Sequence, residues 1–291
     1  MKPDTSTPRI LILGGSGFLG HSLYKELQPF FQVYGTFTGE DIGFQRNQAF
    51  ITYDTTRDDL TSILELIEPD LVIVAHRSPY PQGIEAMKLL AHYCREHNAF
   101  LMFLSHIMVF DAVKKFPSYP GDRTISESQT GRYFIALEKI VQELPSQLYC
   151  IARLSMVLGF NAPIMQLIKQ SIINRVPIDV FPNLIVSATT ITQVVRHIHY
   201  LINKRHVGVY HIASSNVMHH NDLIQEICHK LNIKDPKIKN VYHSNDDQYL
   251  ALLSRADHWP GFLEFSIESV LESCTLSHIS TPKTLLQIGL N

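Results

Sequence analysis

RILILGGSGFLG, residues 9–20, is the stretch whose reading decides the fold. After Arg9, Ile10 to Leu13 form an apolar run that is only strand length and typical of a strand buried on both faces. Gly14, Gly17 and Gly20 then recur at intervals of three. A helical pattern opens at Phe18 and runs to Leu27, where Pro29 stops it. Each glycine has a physical task in such a turn. The first permits the tight bend, the second lets a diphosphate approach the backbone, and the third lets helix pack on strand. The helix N-terminus adds free N–H groups and a partial positive charge. Alone, a glycine pattern is a weak signal; between a strand and a helix it becomes specific for a dinucleotide. The competing reading leaves the glycines with turn geometry and packing only.

Outward from this turn, strand and helix patterns alternate. FQVYGTF (31–37), AFITY (49–53), LVIVA (71–75), FLMFLS (100–105) and LYCIARL (148–154) read as strands. RDDLTSILELIEPD (57–70), GIEAMKLLAHYCREHN (83–98) and RYFIALEKIVQEL (132–144) read as helices. Alternation with continuously apolar strands predicts an α/β chain: a Rossmann-type, doubly wound parallel sheet covered on both faces, spanning residues 1–155. Beyond that the pattern loosens. Helices are expected at 163–176, 189–204, 220–231 and 265–274, with a strand at GVYHIA (208–213). Residues 156–291 are expected to build a smaller, substrate-type C-terminal lobe, interleaved with the first.

Composition excludes several classes. Of 291 residues 45% are hydrophobic, enough for a sizeable core. The net charge of -2, without a long basic run, argues against nucleic-acid binding through a strong positive field. No apolar run has the length of a membrane span, and the N-terminus does not read as a signal peptide. The cysteines Cys94, Cys150, Cys228 and Cys274 form no close pair, which fits a reducing cytoplasm. Of the 15 histidines, the pairs His197/His199, His219/His220 and His92/His97 all have spacings that face apart on a helix, so no metal site is expected.

The candidate cofactor residues are Gly14, Ser16, Gly17, Phe18, Leu19 and Gly20 of the turn, with the strand ends Phe37, Ala75 and Ser105. An NAD site ordinarily ends its second strand in a carboxylate that holds the ribose hydroxyls. Phe37 stands there instead; Glu40 and Asp41 lie beyond Gly39, and Arg46 is in reach of a 2′-phosphate. NADP is therefore preferred over NAD.

Together RILILGGSGFLG, IEPDLVIVA, FLSHIMVFDA, TGRYFIALEK, ARLSMVLG and GVYHIA resemble, in order and spacing, the extended short-chain dehydrogenase/reductases. The branch they resemble most is that of the dTDP-4-dehydrorhamnose reductases, which also contains the regulatory β subunit of methionine adenosyltransferase. The resemblance covers roughly residues 9–230. It implies a nicotinamide cofactor and a nucleotide-linked sugar as substrate. Its chemistry uses a tyrosine as proton donor and a lysine one helical turn later. The lysine holds the ribose and draws the phenol pKa down from about 10. A threonine at the preceding strand end orients the carbonyl.

This chain departs from the pattern at all three positions. In SHIMVFDA, Ser105, Val109, Phe110 and Asp111 match while His106 takes the threonine's place. In TGRYFIALE, Gly131, Arg132, Ala136 and Glu138 match, which puts Thr130 at the tyrosine and Phe134 at the lysine. Tyr133 and Lys139 are six residues apart, about 600° of helix, so they lie some 120° from each other and cannot form the pair. A register starting at Tyr133 places Leu137 where lysine belongs. Catalytic candidates are thus His106, whose residue type has an unperturbed pKa near neutrality, Thr130 and Tyr133. The loop HRSPYPQG (76–83) is short and bulky beside the expected nicotinamide ribose.

In the lobe, Asn161, Gln166, Lys169 and Ser187 are candidate substrate groups, Arg153 a structural arginine, and Thr189 or Thr190 a helix cap. Trp259 either stacks on a ligand or seals the lobe. Two functions follow. One is a reductase-like protein that binds a dinucleotide, a nucleotide sugar or a protein partner without redox turnover. The other is a divergent oxidoreductase or epimerase with His106 as its acid–base group. A homodimer is an expectation from the resemblance alone.

Overall fold

The computed structural model describes residues 7–39, 42–75, 81–159, 161–254 and 259–276. Glu40, Asp41 and His76–Tyr80 of the HRSPYPQG loop lie outside the described residues. In chain order the first elements are β1 (Arg9–Leu13), α1 (Phe18–Leu27), β2 (Gln32–Phe37), β3 (Phe50–Thr52), α2 (Leu60–Ile67) and β4 (Leu71–Val74). Then follow α3 (Gln82–His97), β5 (Phe100–His106), α4 (Gln129–Gln142), β6 (Tyr149–Leu154), β7 (Met156–Leu158) and α5 (Pro163–Ile173). The strands β8 (Ile178–Val180), β9 (Leu184–Val186) and β10 (Ala188–Thr190) precede α6 (Ile191–Lys204) and β11 (Gly208–Ile212). Last come β12 (Met218–His219), α7 (His220–Lys230), β13 (Ile238–Asn240), β14 (Gln248–Leu250) and α8 (Ile267–Leu276).

Contacts group the chain into two compact units whose segments alternate along the sequence. The first unit comprises Met1–His106, Gln129–Arg153 and Val195–Tyr210; the second comprises Ile107–Ser128, Leu154–Val194 and His211–Asn291.

A seven-stranded sheet has the order β11-β6-β5-β4-β1-β2-β3. The pairs β1–β2, β2–β3, β1–β4 and β4–β5 are parallel. Strand order reverses direction at β1, which has β2 on one side and β4 on the other. In such sheets the crevice at the carboxyl ends of the two strands around the reversal is where ligands bind. The central strands are apolar throughout because both faces are covered: Leu11, Ile12, Val72, Ile73, Leu101 and Met102 are fully buried. The helices follow their apolar stripes. On α2, Leu60, Ile63, Leu64 and Ile67 face inward, and Asp59 caps its start by accepting from the Thr61 N–H at 2.9 Å.

The second unit holds small sheets: β7 beside β10, β9 between β12 and β14, and β8 beside β13. These strands have two or three residues each, too few for a readable alternation, and so they escape the sequence patterns. Thr190 caps α6 by accepting from the Gln193 N–H at 3.2 Å, whereas the Thr189 hydroxyl is buried with no partner among the described residues. No helix among the described residues is long and apolar enough to cross a membrane.

Candidate functional site

The glycine-rich turn leaves β1 and enters α1 as a tight loop held from β2. Gly14 has φ 82, the left-handed region that a glycine adopts without steric cost. Its N–H donates to Thr36 Oγ1 at 2.9 Å, the Ser16 N–H donates to the Thr36 carbonyl at 3.1 Å, and the Gly17 N–H donates to the Gly14 carbonyl at 3.0 Å. Thr36, itself buried, is thus the clamp of the turn, and the glycine spacing gave no signal of it. A Cβ on Gly20 would stand 2.1 Å from the Gly14 carbonyl oxygen, so helix–turn packing demands glycine there. Gly17 differs. It is exposed, its φ is -69, and a Cβ there would meet only the Gly14 oxygen at 3.3 Å. The backbone conformation does not require glycine at this position, and the crowding is far milder than at Gly20. Gly17 is the N-cap residue of α1, which has no side-chain cap and no acidic residue in its first turn. The N–H groups of Phe18 and Leu19 belong to that first turn.

Phe37 ends β2 and is buried, with its ring 6.3 Å from Phe44, which lies 4.6 Å from Phe50. His21 of α1 meets Phe44 edge-on at 5.3 Å. Phe37, Phe44, Phe50 and His21 thus form an aromatic corner at the end of β2. Burial, then the neighbouring Lys25 charge, hold the His21 pKa below its ordinary value. Arg46 is exposed. Ala75 follows β4, and its N–H donates to the Leu13 carbonyl at 3.0 Å, which sets it beside the glycine turn at the reversal point.

His106 is the exposed last residue of β5. Its ring centroid lies 5.6 Å from Phe134 of α4. Phe134 is 7% exposed and also stacks on Phe103 at 6.0 Å; Tyr133, 8% exposed, meets it edge-on at 5.9 Å. Thr130 is half-buried one turn before Phe134. Lys139 is exposed, on a different face of α4 from the buried Tyr133. His106 and Phe134 therefore come together, and Tyr133 and Lys139 do not. Phe103, Tyr133 and Phe134 thus form an aromatic cluster beside the His106 ring.

Ser105 turns into the core. Its hydroxyl donates to Glu138 Oε1 at 2.5 Å, and Arg153 grips the same carboxylate through Nε at 3.0 Å and Nη2 at 2.8 Å. All three residues are 2–3% exposed. This fork-shaped pair ties α4 to the ends of β5 and β6 and fixes which face of α4 meets His106. Glu138 was legible only as a motif match; its partners are a tertiary fact.

The second unit places the other candidates. Asp111 accepts from Ser126 Oγ at 2.9 Å and from the N–H groups of Glu127 at 2.7 Å and Ser128 at 3.2 Å. Burial pushes its pKa up, but these hydrogen bonds together outweigh that and hold it below the usual carboxylate value. Ser187 is buried and accepts from the Leu252 N–H at 2.9 Å. Asn161 is exposed, Gln166 and Lys169 are half-buried, and burial lowers the Lys169 pKa. Trp259 is buried, and its indole N–H donates to the His211 carbonyl and Ser254 Oγ, both at 3.1 Å, so it seals the lobe. Among the described residues no three His, Cys, Asp or Glu side chains form a group able to hold a metal ion.

Residues 8–255 match the family model described as the RmlD substrate binding domain. The chain belongs to that family. No curated protein matches it in sequence. Among solved structures it is similar to a dTDP-4-dehydrorhamnose reductase from Yersinia enterocolitica, at 20% identity and TM-score 0.73, over 93% of this chain and 99% of that one. A dTDP-4-dehydrorhamnose reductase from Bacillus anthracis in complex with NADP has 19% identity and TM-score 0.73, over 94% and 99%. The Bordetella bronchiseptica enzyme WbmH in complex with NAD+ has 14% identity and TM-score 0.74, over 94% and 99%. At these identities the likeness establishes the fold: a mixed α/β, reductase-type Rossmann architecture.

Proposed function

We propose that this protein binds a nicotinamide dinucleotide, or its ADP-ribose half, in a reductase-like fold without tyrosine- and lysine-dependent hydride chemistry, and acts as a binding or regulatory subunit. The observation that carries the reading is the contrast between the two ends of the crevice. At the diphosphate end Gly17 is exposed and much less crowded than Gly20, which supports a ligand approaching the backbone there. At the nicotinamide end Phe134 is buried against His106 and Phe103, where the reaction needs an ammonium. Two solved relatives are complexes with NADP and NAD+, which supports the cofactor class. The buried Phe37 in place of a carboxylate favours NADP over NAD. On this reading residues 1–155 serve the dinucleotide, and residues 156–291 serve a nucleotide-linked sugar or present a surface to a protein partner or a second copy. The setting is the cytoplasm.

Calorimetric titration with NADPH, NADH and ADP-ribose tests the reading. Binding of ADP-ribose as tight as that of NADPH is expected, with no NADPH oxidation in the presence of nucleotide-linked keto-sugars. A second reading rests on the exposure of His106 at the end of β5. There His106 is the acid–base group of a divergent oxidoreductase or epimerase. Keto-sugar turnover abolished by His106→Ala would establish that reading and overturn the first.

A further inference from the structure

The second unit contains a cavity of about 320 Å³ between the end of α5, β8 and the segment leading into β13, and none of its lining residues belongs to the candidate dinucleotide site. Its wall is aliphatic: Ile172, Val176, Ile178 and Ile233 line it, and Val176 is 54% exposed. Three charged side chains stand among the lining residues, Arg175, Asp235 and Lys237. None of the three has a side-chain hydrogen bond or ion pair among the described residues.

The local fold brings the two cations to one mouth. Arg175 follows α5 in the left-handed region at φ 53, with its N–H donating to the Ile172 carbonyl at 3.2 Å and the Val176 N–H donating to the Ser171 carbonyl at 2.9 Å. This helix stop most often uses glycine. Three residues later the Ile178 N–H donates to the Lys237 carbonyl at 2.8 Å, which fixes Lys237 beside the strand that Arg175 leads into. Two cations against one carboxylate leave one net positive charge in an aliphatic setting.

We propose that this cavity is a binding site for a small amphipathic monoanion, a carboxylate carrying an aliphatic body. The charge balance sets the class: one negative charge complements the site, whereas a dianionic phosphate would face Asp235. The absence of any aromatic lining residue disfavours a nucleobase. The 320 Å³ cavity lies at the small end of ligand pockets and suits a ligand of roughly ten heavy atoms.

Octanoate, with about that size and charge, is the probe, titrated calorimetrically into the full chain beside octanol and acetate. Saturable single-site binding of octanoate is expected, with octanol and acetate at least about tenfold weaker, since each lacks one half of the complement. The variant Arg175→Gly is expected to weaken octanoate about tenfold while keeping or raising the thermal midpoint, because glycine suits the left-handed position. Lys237→Ala is expected to weaken it similarly. Absence of octanoate binding, equal binding of octanol or acetate, or undiminished binding by Arg175→Gly overturns the proposal. None of these results depends on the dinucleotide.

Discussion

Gly17 and Gly20 look alike in the sequence and separate at the level of single atoms. A Cβ on Gly20 collides with the Gly14 carbonyl at 2.1 Å, so Gly20→Ala is expected to destabilise the protein by about 2–4 kcal/mol, read by urea denaturation. A Cβ on Gly17 needs a shift of only a few tenths of an ångström, so Gly17→Ala is expected to stay within about 1 kcal/mol of the parent stability. If the turn holds a diphosphate, the same variant loses at least about tenfold in ADP-ribose affinity by calorimetry. Equal destabilisation by both variants would mean that Gly17, too, is a packing residue. The motif was legible as spacing. Which glycine serves the fold and which faces outward was not, because it depends on where Thr36 of the next strand pulls the turn.

At the scale of elements, α4 is set by a buried ion pair rather than by its apolar stripe alone. Removing one partner of such a pair leaves the other charge buried and uncompensated. Glu138→Ala is therefore expected to cost about 3–5 kcal/mol in denaturant unfolding, and Ser105→Ala about 1 kcal/mol. The start of α7 carries a second dependence. His220 is buried, its Nδ1 accepts from the Phe181 N–H at 3.3 Å, and its ring packs 5.4 Å from that of Phe181. Burial holds its pKa below the ordinary 6.5. The unfolded chain then takes up this proton first, so the contribution of neutral His220 is complete above about pH 6.5 and is lost as pH falls towards the folded value. Denaturation at pH 7.5 and at pH 5.5 should show a decline in stability that is smaller in His220→Gln.

For the whole molecule, cysteine chemistry gives a simple readout of both units. Cys94 and Cys150 lie in the first unit, Cys228 and Cys274 in the second, and all four are buried and free. Burial pushes the Cys94 and Cys150 thiols up to about 12 and Cys274 to about 11. A thiol needs its thiolate and access to react. The native protein is thus expected to remain unlabelled by a thiol-directed chromogenic reagent at pH 8 while the denatured chain titrates four thiols. Prompt labelling of two thiols would mean that one unit opens independently of the other.

The sequence by itself determined the alternation of strands and helices that builds the parallel sheet. Short apolar runs, the glycine turn and the stop at Pro29 are local signals, each carried by neighbours along the chain, and α1 spans Phe18–Leu27 as its pattern requires. The sequence also determined that Tyr133 and Lys139 diverge, since helical pitch alone separates them. Only the tertiary structure decided what surrounds the candidate residues. Phe134 meets His106 and Phe103, Ser105 is drawn into the Glu138–Arg153 pair, and Trp259 spends its N–H on the His211 carbonyl. It likewise decided the two- and three-residue strands of the second unit and the cavity beside β8. Those features join residues far apart in the chain, through hydrogen bonds and packing that no local periodicity encodes.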